Sequence, residues 1–293
     1  MKRRDFIKTT AGVALSAAPL LNLVCGPKPG QLDKIGLQLY SVRDLMRKDF
    51  TGTITKVAEA GFAYVEFAGY YDNPPQDIRA LLDKLGLTSP ANHTSYNLLT
   101  EENLPQTIEA AKIIGHEYLV LPSLPRERRA PGQPRGQRPP KPVITADRVK
   151  ELIDIFNRIG ESCKEAGLRF AFHNHRAEFK QTEDGGILYD MLVEGTDPEL
   201  VDFEMDLGWA IAAGADPLVY FEKFPGRFPL FHIKDFNDEK KPIAIGQGTI
   251  DYAPIFAGAG QSGAIYYIVE FEGREDTLDN SIACLNYLKT LTF

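Results

Sequence analysis

From Lys34 onward the chain repeats one pattern, a short apolar run, a polar loop and an amphipathic stretch that often stops at glycine. Ile35-Gly36-Leu37-Gln38-Leu39-Tyr40 precedes a helix pattern over 50–60 that Gly61 ends, and Tyr64-Val65-Glu66-Phe67 precedes one over 75–85 that Gly86 ends. Glycine suits these ends because it takes the left-handed backbone at no steric cost. Leu87 to His93, weakened by Pro90, is followed by a helix pattern over 101–114. Tyr118-Leu119-Val120-Leu121-Pro122 is followed by one over 146–166, and Leu168 to His175 by one over 187–193. Val201 to Asp206, Pro229 to Asp235 and Tyr266 to Gly273 bring the strands to eight, with helix patterns over 217–224, 252–259 and 277–291. Eight such units predict an α/β fold, a single (β/α)8 TIM barrel over 34–293. A doubly wound open sheet fits less well, because Gln38-Leu39-Tyr40-Ser41-Val42-Arg43 stands where a glycine-rich phosphate turn would follow the first strand.

Three of these strands end in polar groups. In Pro229-Leu230-Phe231-His232-Ile233-Lys234-Asp235, alternation puts Leu230, His232 and Lys234 on one face. The preceding strand ends in Asp206 and the following one in Glu270. Parallel barrel strands all end on the same face, so Asp206, His232 and Glu270 converge there, and one imidazole with two carboxylates suits a divalent metal. Glu66 ends the second strand and His93 the third, where substrate hydroxyls would lie, and Trp209 offers a flat face for a sugar ring. Gly246-Gln247-Gly248 has no Walker lysine and is no phosphate loop.

Net charge −7 argues against a nucleic-acid partner, since a phosphate-tracking surface is basic. Three cysteines, Cys25, Cys163 and Cys284, give neither a disulfide framework nor a zinc spacing. The N-terminus reads as a targeting segment. Lys2-Arg3-Arg4-Asp5-Phe6-Ile7-Lys8 resembles a twin-arginine export signal, and the small-residue apolar run from Thr9 to Val24 is too short for a stable membrane span. Residues 1–26 are therefore expected to be a signal, 27–33 a linker, and the protein periplasmic. Cys25 is a candidate lipid anchor, although Asn22-Leu23-Val24 departs from the usual small-residue lipobox. The loop over 123–142, rich in proline and arginine, is either a rim over the site or a surface insertion.

Taken together, Leu37-Gln38-Leu39-Tyr40-Ser41, His173-Asn174-His175, Asp206-Leu207-Gly208-Trp209, His232-Ile233-Lys234-Asp235 and Glu270 resemble the sugar phosphate isomerase/epimerase family of xylose isomerase-like barrels. The resemblance implies a divalent ion (manganese, magnesium, cobalt or zinc) held by residues of strands five to eight, with Asp206, His232 and Glu270 matching three of the four ligands. The fourth is where this chain departs. Aligning Arg176-Ala177-Glu178 with the family's Arg-Phe-Glu places Phe172 at the glutamate ligand, so the fourth ligand is either absent or supplied by His173, His175 or Glu178. His173 and His175 share a strand face and can reach the barrel mouth.

Such an ion polarises a carbonyl and lets a carboxylate remove the neighbouring proton. Epimerisation needs a second proton-transferring group on the opposite face. With Phe172 in the glutamate's place, that group would be His173, His175 or Glu178, unless the reaction is an elimination, as from a keto-inositol or a 3-keto-glycoside. Glu178, Glu270, His175 and Lys234 are the catalytic candidates, and Glu66, His93, His173 and Trp209 the substrate-binding ones. The expected partner is an unphosphorylated sugar or glycoside, and self-association stays open. A non-catalytic exported sugar-binding barrel is the alternative. Endonuclease chemistry is disfavoured by the acidic surface and by only five histidines.

Overall fold

The computed structural model describes residues 30–125 and 144–293. The signal segment with Cys25, the first linker residues and most of the loop over 123–142 lie outside the described residues. In chain order the strands are β1 (Gly36–Gln38), β2 (Tyr64–Phe67), β3 (Thr88–His93), β4 (Tyr118–Leu121), β5 (Arg169–His173), β6 (Val201–Asp206), β7 (Leu230–Ile233), β8 (Asp235–Phe236), β9 (Pro242–Ile243) and β10 (Tyr266–Val269). Eight of them close a parallel barrel in the order β1-β10-β7-β6-β5-β4-β3-β2, and β8 and β9 form a separate antiparallel ribbon. The helices are α1 (Arg43–Lys48), α2 (Phe50–Glu59), α3 (Pro75–Leu85), α4 (Leu104–Ile114), α5 (Ala146–Glu165), α6 (Leu188–Gly195), α7 (Leu207–Ala212), α8 (Pro217–Lys223), α9 (Tyr252–Gly258) and α10 (Thr277–Thr290). No helix of the described residues is long and apolar enough to cross a membrane.

The architecture is the barrel the repeat predicted, with local departures. β5 stops at His173, which leaves Asn174 and His175 beyond the strand, and α4 starts at Leu104. Helix α7 was not expected. It starts directly at the end of β6 because the Asp206 carboxylate accepts the Trp209 N–H at 2.8 Å and caps it. Gly208 is needed at that corner, since a β-carbon there would lie 2.4 Å from Lys234 Cγ and 2.9 Å from the Lys234 carbonyl.

Alternation along the strands sorts the side chains. On β5, Phe170 and Phe172 face outward onto Phe156 of α5, with ring centroids 5.6 and 4.9 Å apart. Ala171 points inward and joins Tyr64, Ala91, Tyr118, Val120, Leu230 and Ile268 in the apolar floor of the barrel. Each fully buried phenylalanine contributes on the order of 2 kcal/mol to holding the helices on the sheet. The Tyr64 ring covers Gly36, where a β-carbon would fall 2.2 Å from Cε2, and its hydroxyl donates to the Tyr267 carbonyl at 3.0 Å. Above this floor the inward positions turn polar, and that change creates the site.

One buried imidazole outside the site sets an acid limit on stability. Nδ1–H of His116 donates to the Ser89 carbonyl at 2.8 Å, which leaves Nε2 to accept from the Tyr70 hydroxyl at 3.2 Å. Burial pushes the ring down to about 4 from its ordinary 6.5. The unfolded chain therefore binds this proton first, so the contribution is complete above pH 6.5 and is lost as pH falls toward 4, about 3 kcal/mol in all. Urea unfolding at pH 7 and pH 5 should show His116→Asn less stable than wild type at pH 7 and the gap narrowed at pH 5. An equal gap at both values would contradict this assignment.

Candidate metal and catalytic site

At the C-terminal ends of the strands, two overlapping sets of side chains have ligand atoms within 4.8 Å of one another. The upper set is His173, Asp206, His232 and Glu270, and the lower is His93, His173, Glu204 and His232. Neighbouring strand register brings them together, since Asp206 lies opposite His232 and His173 opposite Glu204. Three imidazoles pack edge to face or stacked. The ring centroids of His173 and His232 are 4.6 Å apart, those of His93 and His173 4.8 Å, and those of His93 and His232 5.1 Å.

Five carboxylates surround these rings. His232 Nδ1 lies 2.9 Å from Glu270 Oε2 and its Nε2 2.6 Å from Glu66 Oε2. His173 Nδ1 and His93 Nε2 both meet Glu204 Oε2, at 2.9 and 2.7 Å. The Lys234 ammonium reaches Asp206 Oδ2 at 2.7 Å, Glu270 Oε2 at 2.8 Å and Glu272 Oε1 at 2.5 Å. Burial opposes charge on every member, and the partners decide who keeps it. Against burial, Glu204 and Glu66 hold His232 protonated well above the usual imidazole range. Likewise Lys234 stays charged beside Asp206, Glu270 and Glu272, and its ammonium draws Glu270 well below the usual carboxylate range despite burial. Burial lifts Asp206 and Glu66 to about 7, the latter helped by the Glu204 charge. His173 is held neutral by burial, and burial with the nearby Lys234 charge lowers His175 to about 4.

His173 and Glu270 of the upper set line a cavity of about 850 Å³ whose wall also includes Tyr40, His93, His175 and Glu272. Several positions differ from the sequence expectation. Phe172 faces outward, so the fifth-strand side chain entering the cluster is His173, one residue later. Glu178 belongs to neither set. It accepts the His175 backbone N–H at 2.8 Å, while the His175 ring accepts the backbone N–H of Glu178 in a reciprocal cap. Glu66 is fully enclosed, bound by Gln38 at 2.8 Å and by His232, and does not line the cavity. His93 does reach the cavity, although its Nε2 is taken by Glu204. Trp209 packs on Phe236 and the Lys234 ammonium and donates Nε1–H to Glu272 at 3.1 Å. It is not part of the cavity wall.

Two residues were missed. Glu204 had a signal, because Asp202, Glu204 and Asp206 occupy alternate positions of β6 and so share the inward face. Glu272 had only its place two residues after Glu270, beyond the strand end.

A family model described as "Xylose isomerase-like TIM barrel" matches residues 54–288, and the chain belongs to that family. It is similar to an inosose dehydratase of Geobacillus thermodenitrificans, 28% identical over 254 residues, 76% of this chain and 82% of the relative. Among solved structures it is similar to a sugar phosphate isomerase/epimerase from Parabacteroides distasonis, with 27% identity, a TM-score of 0.73, and coverage of 87% of this chain and 96% of that one. The IolI protein with a bound zinc atom is 15% identical at a TM-score of 0.65, covering 86% of this chain and 95% of that one, and shows the fold alone.

Behind the site, Asp235 anchors the loop after β7. Its carboxylate accepts the N–H groups of Phe236, Gly246, Gly248, Thr249 and Ile250 at 2.9 to 3.3 Å. A β-carbon on Gly248 would fall 2.1 Å from that carboxylate. Asp235→Ala strands these donors and should lower stability by about 2–4 kcal/mol in thermal or urea unfolding. A loss below about 1 kcal/mol would mean the loop holds without this anchor.

Proposed function

We propose that the chain is a divalent-metal-dependent enzyme that removes a proton next to the carbonyl of a keto sugar, keto-cyclitol or 3-keto-glycoside, and that it works by elimination. What supports this most directly is the upper set, two imidazoles and two carboxylates of which His173 and Glu270 line an open cavity. Mixed nitrogen and oxygen donors fit zinc, manganese or cobalt better than calcium. His173, Asp206, His232 and Glu270 would hold the ion, whose contribution when bound is to polarise the carbonyl and stabilise the charge developing beside it. The inosose dehydratase relative acts, by its name, on a keto-cyclitol, which agrees with this class.

The chain's own groups divide the proton work. Glu270 is kept ionised by Lys234 and His232 and faces the cavity, which suits a base. The His175 ring accepts the Glu178 N–H, so the other nitrogen of the neutral ring carries its hydrogen and can donate to a departing hydroxyl or alkoxide. Lys234 and Glu272 stand beside both, where the ammonium offsets negative charge on the substrate oxygen. One base and one donor are what elimination requires.

Elemental analysis of the purified protein should give one divalent ion per chain, and His232→Ala should lose it. Incubated with candidate keto sugars in heavy water, the wild type should exchange the proton next to the carbonyl and form an unsaturated product. His175→Phe should keep the exchange and lose product at least tenfold. Bound metal without exchange on any keto sugar or 3-keto-glycoside would favour a sugar-binding barrel, and exchange with a new epimer would favour epimerisation.

A further inference from the structure

Glu204 and Glu66 have no part in the upper set, yet both are fully enclosed: Glu66 meets His232, and Glu204 meets His173 at 2.9 Å and His232 Nε2 at 3.2 Å. His173 turns Nδ1 to Glu204 at 2.9 Å and Nε2 toward Asp206 at 3.7 Å. His232 is turned the other way, with Nε2 to Glu66 at 2.6 Å and Nδ1 to Glu270 at 2.9 Å. Glu204 and Glu66 lie outside the upper set and can stay on the ring nitrogens they face, which then carry hydrogen, whereas Asp206 and Glu270 belong to the set with the nitrogens on its side, Nε2 of His173 and Nδ1 of His232. We propose that Glu204 and Glu66 are positioning residues that lock the two imidazoles in opposite tautomers, so that a divalent ion is bound by Nε2 of His173 and Nδ1 of His232.

The surroundings of both carboxylates support this. Gln38 donates Nε2–H to Glu66 while its Oε1 accepts the Tyr40 N–H, so the amide cannot turn over and Glu66 is fixed toward His232. Glu204 Oε2 takes His93 as well as His173, which pins the carboxylate from two strands. The ring centroids of His173 and His232 lie 4.6 Å apart, and the two rings offer ligand atoms to the upper set within 4.8 Å of one another. The rival arrangement is the lower set, in which Glu204 and His93 are themselves ligands. It would use His173 Nδ1 and His232 Nε2, the opposite nitrogens.

This inference rests on the reading of the cluster as a metal site, and one experiment separates the two. The full chain, labelled with nitrogen-15 at histidine and loaded with zinc, is measured by two-bond proton–nitrogen correlation. His173 should carry hydrogen on Nδ1 and zinc on Nε2, and His232 the reverse. In a chelator competition, Glu204→Gln and Glu66→Gln should each weaken zinc binding by about 10–100-fold, with melting of the zinc-free variants confirming that they fold. Zinc on Nδ1 of His173 and Nε2 of His232, or unchanged affinity in both variants, overturns the positioning role while leaving the metal site standing. A wild type that binds no zinc, manganese or cobalt overturns both.

Discussion

Five carboxylates closing on three imidazoles and one ammonium inside a barrel is the constraint on which this molecule depends. Glu66, Glu204, Asp206, Glu270 and Glu272 gather around His93, His173, His232 and Lys234, and all but Glu272 and the edge of His93 are buried. Removing one partner from such a set leaves a buried charge uncompensated, at a cost of about 3–5 kcal/mol, whereas the intact set contributes little net stability. A fold selected only for stability would fill this space with apolar side chains, as it does one layer below with Tyr64, Val120 and Leu230. The polar layer instead brings together two groups of side chains that could hold a metal ion.

The rest of the structure serves to hold that layer open at one end. Outward phenylalanines on β5 and β6 fasten the helices, which leaves the inward positions free of packing duty. Asp206 works twice, as a member of the cluster through Oδ2 and as the cap of α7 through Oδ1, so the end of β6 is fixed where the cluster lies. Asp235 does the same for the loop after β7. Lys234 and Asp235 are neighbours in sequence with opposite tasks, one turned into the site and the other into the loop, because strand alternation separates them.

Glu178 and Phe172 show where reading by motif alone misleads. Aligning on Arg176 and Glu178 puts Phe172 at the ligand's place, but in a strand one position exchanges the inside for the outside, and Phe172 is on the outside. The backbone places His173 inward and Phe172 against Phe156, and Glu178 becomes half of a cap around His175. The cap also decides which nitrogen of His175, a residue of the cavity wall, is left without the Glu178 N–H.

The eightfold repeat, the inward parity of Asp206, His232 and Lys234, and the convergence of strand ends were determined by the sequence itself, because period and alternation are local properties of the chain. Carboxylates at alternate positions of β6 were equally legible, though Glu204 passed unread. Tertiary structure alone decided that Glu66 and Gln38 lie against His232 and not on the cavity wall, that Trp209 is covered by Lys234 and Phe236, and that Glu272 joins Lys234. Those outcomes depend on which strands are neighbours and how far each is staggered around the closed barrel. Register between segments distant in sequence is set by the packing of the whole ring and leaves no trace in any one segment.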